Sequence, residues 1–242
     1  MYPRARFLSA GDAAVVVELG DEIGQEVNRR VHDLARAIEH HRVAGLVDLV
    51  PTYRSLLVYY DPMRTLRADL EREIAALEAG LGVVERPPAR IVEMPTLYGG
   101  EFGPDLPFVA GHAQLSADEV IRIHAESDYL VHMMGFTAGF PYLGGMSARI
   151  ATPRLKTPRT RIPAGSVGIA QQQTGIYPAE SPGGWQIIGR TPVRIFDPRL
   201  DPPVAVEAGQ YIRFVPINEE IYRAVESQVQ AGTYTLSVRT LP

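Results

Sequence analysis

The sequence predicts an α+β protein in two parts: a small α/β domain over residues 1–86 and a closed or sandwiched β structure over 87–242. Three observations support this. Composition changes near residue 87, since only three of the 20 prolines (Pro3, Pro51, Pro62) and six of the 22 glycines precede it. Before that point, apolar residues fall at alternating strand and helix spacings. After it come many short β-prone runs divided by Gly and Pro turns, and closure is what protects so many strand edges.

The first part reads as ββαββα. Phe7-Leu8 and Ala13–Leu19 flank the Gly11-Asp12 turn signal and predict a hairpin. From Glu22 to His41, the residues Ile23, Val27, Val31, Leu34 and Ile38 recur as one helical face. Two β-rich runs follow, Val43–Val50 and Ser55–Tyr60, then a second helix through Leu66, Leu70, Ile74 and Leu77. Pro87-Pro88 is the natural joint, because consecutive prolines lack backbone donors. Beyond it, strands are expected at Arg90–Met94, Tyr129–Met134, Ser166–Ala170, Gln186–Ile188, Val193–Phe196, Tyr211–Val215 and Thr233–Val238. Two helices interrupt them. One carries the capping-box pair Ser116 and Glu119 and runs to about Ala125; the other starts at Asn218 and stops near Gly232.

Composition excludes several function classes. Hydrophobic residues at 45% and charged residues at 21% are those of an ordinary globular protein. A net charge of −4 gives no protein-wide case for nucleic-acid binding. No run approaches the roughly 20 apolar residues of a membrane span, and Met1-Tyr2-Pro3-Arg4 leads into no signal-peptide core. With no cysteine there is no disulfide or thiol nucleophile, which fits a cytoplasmic location. No histidine cluster has metal-ligand spacing, so no metal site is expected, and neither a Walker A loop nor a G-x-S-x-G elbow occurs.

The functional signal is a local charge anomaly. No Asp or Glu lies between Asp128 and Glu180, while Arg149, Arg154, Lys156, Arg159 and Arg161 all do. Gathered into one cleft, they would bind a phosphate or carboxylate; spread out, they are a solvated basic loop. Gly165-Ser166-Val167-Gly168 would let backbone donors approach an anion, or is simply a tight turn. Trp185 reads as a core anchor or as the wall of a ligand site. His124 lies near the apolar face of its helix, where a satisfied core histidine and a general base both fit.

The runs GFTAGFPYLGGM (135–146), TPRLKTPRTRIPAGSVGIA (152–170), QTGIYP (173–178), SPGGWQIIGRTP (181–192) and IFDP (195–198) resemble the family of the 5-oxoprolinase B subunit. That family is also called allophanate hydrolase subunit 1, and it includes the sporulation-kinase inhibitor KipI and part of urea carboxylase. YGG (98–100) and GPDL (103–106) fit the same pattern. Two positions depart from it: Ala138 stands where proline is common, and Gln171 where glycine is common.

The resemblance implies a cyclophilin-like β-barrel for the second domain. It implies an ATP-dependent 5-oxoprolinase, with Mg2+-ATP as co-substrate, that opens 5-oxo-L-proline to L-glutamate only in a hetero-oligomer with subunits A and C. A kinase-binding regulator and an allophanate or urea carboxyltransferase subunit are the alternatives. Carried onto this chain, it makes His124 and Arg159 the catalytic candidates. Arg154, Ser166, Gln173, Thr174, Tyr177 and Arg190 are then the contacts to a small anionic substrate or phosphate. As a surface residue, Arg159 replaced by Ala is expected to cut activity at a stability cost under about 0.5 kcal/mol.

Overall fold

The structure, a computed structural model, describes residues 1–81 and 88–240. Its contacts divide the chain into two units, Met1–Pro87 and Pro88–Pro242. Pro87, half of the expected Pro-Pro joint, lies outside the described residues.

In the first unit, β1 (Arg6–Ser9) and β2 (Ala14–Glu18) form the hairpin, and α1 (Gln25–His41), β3 (Leu46–Pro51), β4 (Ser55–Tyr60) and α2 (Arg67–Ala79) follow. The sheet order is β1-β2-β4-β3, antiparallel throughout. Period-2 alternation sends Val15, Val17, Leu56 and Val58 to one face, where Val31, Leu34 and Ile38 of α1 and Leu70 and Ile74 of α2 cover them. Arg30 of α1 also pairs with Glu78 of α2. Leu34 has no exposed surface, so Leu34→Ala is expected to cost about 3 kcal/mol, measured as a lower urea midpoint at unchanged slope. Ile23 precedes α1 and is 63% exposed, so the buried stripe begins one turn later than the spacing predicts.

The second unit contains β5 (Arg90–Tyr98), α3 (Leu106–Ala113), α4 (Ala117–Glu126), β6 (Tyr129–Met134), β7 (Pro141–Gly144), β8 (Arg159–Ile162) and β9 (Ser166–Ala170). It continues through β10 (Gln173–Ile176), β11 (Ser181–Gly183), β12 (Gln186–Arg190), β13 (Tyr211–Pro216), α5 (Glu219–Ala231) and β14 (Val238–Thr240). Seven strands close in the order β12-β9-β10-β7-β6-β13-β5, with β5 returning to β12 through Gly189↔Tyr98 and Arg190↔Leu97. Only the β5–β13 pair within this ring is parallel. Met94, Val131, Leu143, Val167, Ile169, Ile188 and Phe214 belong to its buried core. The capping box at Ser116 starts α4, and Gly232 ends α5 in the left-handed conformation.

Two expected strands are corrected. Val193–Phe196 is not a strand: its loop folds back, with Ala205 N donating to Ile195 O and Asp197 N to Pro203 O, and one isolated bridge joins Phe196 to Val204. Thr233–Val238 yields only the short β14, which begins at Val238. Four strands (β7, β8, β10, β11) and the helix α3 go beyond the sequence expectation. They lie in Gly- and Pro-rich text that reads as loop.

Candidate functional site

The residues that sequence reasoning singled out fall into three groups. The first surrounds Trp185, which is buried in a satellite core with Phe140, Tyr177, Ile162 and Ile187. Phe140 meets Trp185 edge-on at 5.7 Å between centroids, and Tyr177 meets Phe140 at 5.8 Å. At Gly175, on β10, a Cβ would lie 3.0 Å from the indole, tighter than ordinary contact, so glycine suits the close approach of that strand to the ring. Arg154 is exposed and places its guanidinium carbon 5.9 Å from the Trp185 ring. Burial pushes the Tyr177 phenol up, opposed by a hydrogen bond to the Trp185 backbone and by Arg154 and Arg159.

Arg159, at the start of β8, is already committed. Its Nη2 donates to Asp105 Oδ1 at 2.6 Å, and the second carboxylate oxygen accepts the Ile187 backbone N–H, also at 2.6 Å. Asp105 N in turn donates to Ile187 O. The chain approaches β12 closely enough that a Cβ on Gly103 would lie 2.0 Å from Ile188 O. Asp105 thus ties the start of α3 to β12 and β8. The reading of Arg159 as a free surface cation is corrected: its side chain is only 33% exposed and its partner's 11%. Arg159→Ala should cost about 1–3 kcal/mol, because it strips a largely buried carboxylate of its charged donor; a denaturation midpoint checks this.

The second group lies inside the barrel. His124, on α4, has no exposed surface. Its Nδ1 lies 2.8 Å from the Tyr98 hydroxyl and its Nε2 2.8 Å from Thr174 Oγ1. Thr174 donates to Gly168 O, which leaves its oxygen to accept from Nε2–H and Nδ1 to accept from Tyr98. Burial lowers the His124 pKa from 6.5 to about 3, so the ring is neutral near pH 7. Both ring nitrogens of this catalytic candidate are thus satisfied within the core.

The third group is on β9 and β12. Ser166 and Arg190 are directly opposite in register. Ser166 Oγ and Arg190 Nε are buried without hydrogen-bond partners. The Arg190 guanidinium carbon stands 5.3 Å from the Phe102 ring, which packs on Tyr222 of α5. The adjoining residues Gly165 and Thr191 line a cavity of about 180 Å³ with Pro178, Tyr222 and Glu226. Gln173 opens β10 opposite Ala170 and is half-buried.

The five cations of the acid-free stretch do not form one cleft. Arg159 is taken by Asp105, Arg161 pairs with Glu180 at 2.6 Å, and Arg149 acts on Glu119 of α4. Acids distant in sequence have been folded onto the run. Arg154 and Lys156 stay exposed, with no ion-pair partner among the described residues. Sequence reasoning missed Asp105, although it sits in the GPDL segment. Among the described residues no group of three or more His, Cys, Asp or Glu could hold a metal ion. No helix among them is long and apolar enough to cross a membrane.

A seven-stranded barrel preceded by a small helix-covered sheet is a carboxyltransferase-type architecture. The family model "Carboxyltransferase domain, subdomain C and D" matches residues 5–206. The urea amidolyase structure from K. lactis superposes with a TM-score of 0.80 at 22% identity, covering 98% of this chain and 16% of that one. The 5-oxoprolinase B subunit of Bacillus subtilis is 44% identical over 94% of this chain and 99% of its own length. The Escherichia coli O157:H7 protein of the same name is 39% identical over 90% and 99%. The chain belongs to this carboxyltransferase-domain family and, within it, to the family of the 5-oxoprolinase B subunit.

Proposed function

We propose that this chain is one subunit of an ATP-dependent 5-oxoprolinase, working with subunits A and C to open 5-oxo-L-proline to L-glutamate. What carries the reading is the 44% identity to a 5-oxoprolinase B subunit over nearly the full length of both chains. The chemistry explains why ATP is needed. An unstrained lactam is a poor electrophile; transferring the γ-phosphoryl group to its oxygen, with release of ADP, activates the carbonyl carbon. One water adds there and the C–N bond breaks to leave an acyl phosphate, which a second water converts to glutamate and phosphate.

Ser166 and Arg190 suit contact with an anionic oxygen, since buried donor atoms without partners would be satisfied by one. Arg154 adds a cation without a carboxylate partner, and Gln173 adds an amide on the neighbouring strand. Tyr177, Arg159, Thr174 and His124 position these groups. Among the described residues no group of three or more His, Cys, Asp or Glu could hold magnesium by itself, and the sequence has no Walker loop. In this reading the nucleotide is held with its partners.

The test is reconstitution. 5-Oxoproline-dependent ADP release should require all three purified components, and unchanged release without this chain would overturn the proposal. Arg190→Gln should lower kcat/KM of the complex about 100-fold while leaving the thermal midpoint of this chain within a few degrees. A kinase-inhibiting or urea-carboxylating role predicts no dependence of ADP release on this chain.

A further inference from the structure

The cavity beside Gly165 and Thr191 is built from two elements that differ in stiffness and in chemistry. Its floor is the barrel rim, where the turn between β8 and β9 meets the end of β12. Gly165 N donates to Tyr177 O, Thr191 N to Gly165 O, and Val193 N to the Thr191 hydroxyl. Gly165 holds φ at +79°, and a Cβ there would lie 2.3 Å from Thr191 O, so this part of the floor stays bare. The wall is α5, where Tyr222, Glu226 and Gln230 recur every four residues on one helical face and all line the cavity. Tyr222 fastens that wall: it is buried and packs on Phe102 with centroids 4.8 Å apart. Burial pushes its phenol up and Glu226 adds to this, while Arg190 and Arg223 oppose it, so the phenol stands among all three charges. Glu226 gives one oxygen to Arg223 at 3.3 Å, which leaves the other as an acceptor. Arg194, also lining the cavity, shares Asp197 with Arg199, at 3.4 Å against 2.5 Å for Arg199, so its guanidinium keeps donors to spare. Pro178, Pro192, Val193 and Val229 supply the apolar remainder.

We propose that this cavity binds a five-membered lactam carboxylate. Glu226 accepts the ring N–H, Arg194 holds the carboxylate, and the lactam oxygen faces the end formed by Tyr222 and Arg190. Resting on the functional reading above, the ligand is 5-oxo-L-proline, and α5 is the element that selects it. Size and charge support the choice. At about 180 Å³ the space is well below the roughly 300 Å³ at which drug-sized sites begin, which suits one small ring and excludes a nucleotide. Glutamate shares the carboxylate next to nitrogen, but its second carboxylate would enter a space already holding Glu226 and four apolar side chains. The neutral lactam avoids that repulsion and desolvation. Its single N–H also matches the one open oxygen of Glu226, whereas an ammonium brings three donors.

The test reads binding on the full chain, apart from turnover. Titrating the isotope-labelled chain with 5-oxo-L-proline should shift the Gly165 and Thr191 amide resonances. The N-methyl lactam lacks the donated proton and should bind about tenfold more weakly. Glu226→Ala should weaken binding of the parent lactam about tenfold and remove its advantage over the N-methyl analogue. The thermal midpoint should stay within a few degrees, since the Arg223 pair lost with Glu226 is exposed. Val229→Trp, which fills the cavity from α5, should abolish binding. In the reconstituted complex, Glu226→Ala should raise the KM for 5-oxoproline about tenfold and leave the KM for ATP unchanged. A wild-type chain that binds no lactam, lactam binding that neither substitution weakens, or equal binding of L-glutamate overturns the site. If ADP release still depends on this chain, any of those results leaves the functional reading intact. Binding that follows the expected pattern, with ADP release indifferent to this chain, overturns the functional reading and supports the site.

Discussion

Replacing Asp105 with alanine should destabilise the second unit by about 3–5 kcal/mol, a shift on the order of 10 °C in its thermal midpoint. Two donors are stranded by the change. Arg159 Nη2 loses an acceptor at 2.6 Å, and so does the Ile187 backbone N–H. Ile187 is buried in the satellite core, so water cannot replace its lost partner without opening the packing around Trp185. Arg159 keeps a third of its surface in solvent, which screens part of its share. Asp105→Asn retains an oxygen for the Ile187 N–H but loses the charge, and should cost about half as much. Removing Arg159 as well should not add its full single-site cost, because no unpaired guanidinium then remains; a coupling of about 1–3 kcal/mol is expected from the double-mutant cycle. Strict additivity would show that the Asp105–Arg159 pair ties nothing together.

The first unit was legible because its core is written in periodicity. Every second residue of β2 and β4, and every third or fourth of α1, is apolar, and those residues do meet. The barrel was legible only where its strands carry branched apolar residues on the inner face, as in β6, β9 and β13. It was hidden where the outer wall is built by glycine approach. Gly175 in β10 and Gly183 in β11 have no side chain because the Trp185 and Tyr177 rings occupy that space. A local pattern shows such residues as turn formers, since the rings that demand them are remote in sequence. The helix α3 was hidden by its composition: LPFVAGHA is apolar on nearly every side and shows no polar face.

The site was legible in its residue types more than in its assembly. The acid-free stretch is real as sequence, yet Asp105 and Glu180 neutralise two of its cations from outside the run. Only strand pairing could reveal that Ser166 faces Arg190, since 24 positions separate them along the chain. The family motifs mark these positions without saying which bind and which hold the wall.

Acid should weaken the fold through His124 as pH falls below about 6.5. In the unfolded chain the imidazole takes up a proton as pH falls through about 6.5, whereas in the folded state burial delays this to about 3. Between those values the unfolded state binds more protons, so stability that is fully present above pH 6.5 is lost progressively on acidification. At pH 5 the loss from this one group is about 2 kcal/mol, and near pH 3 it approaches about 4 kcal/mol. The phenols facing the ring, Tyr98 and Tyr129, are both pushed upward by burial and stay neutral throughout this window. Asp197, held low chiefly by its hydrogen bonds to Arg199, and Glu119, held low by its hydrogen bonds to Ser116, also lose stability toward the acid end of this range, so the difference between wild type and a His124 variant reads the histidine. His124→Gln keeps a neutral polar side chain on α4. It should lower stability at pH 7.5 through lost hydrogen bonds to Tyr98 and Thr174, and flatten the pH profile between 4 and 6.5. Urea midpoints across that range measure both effects. A variant as acid-sensitive as wild type there would mean that the ring is already charged, or reached by water, in the native barrel.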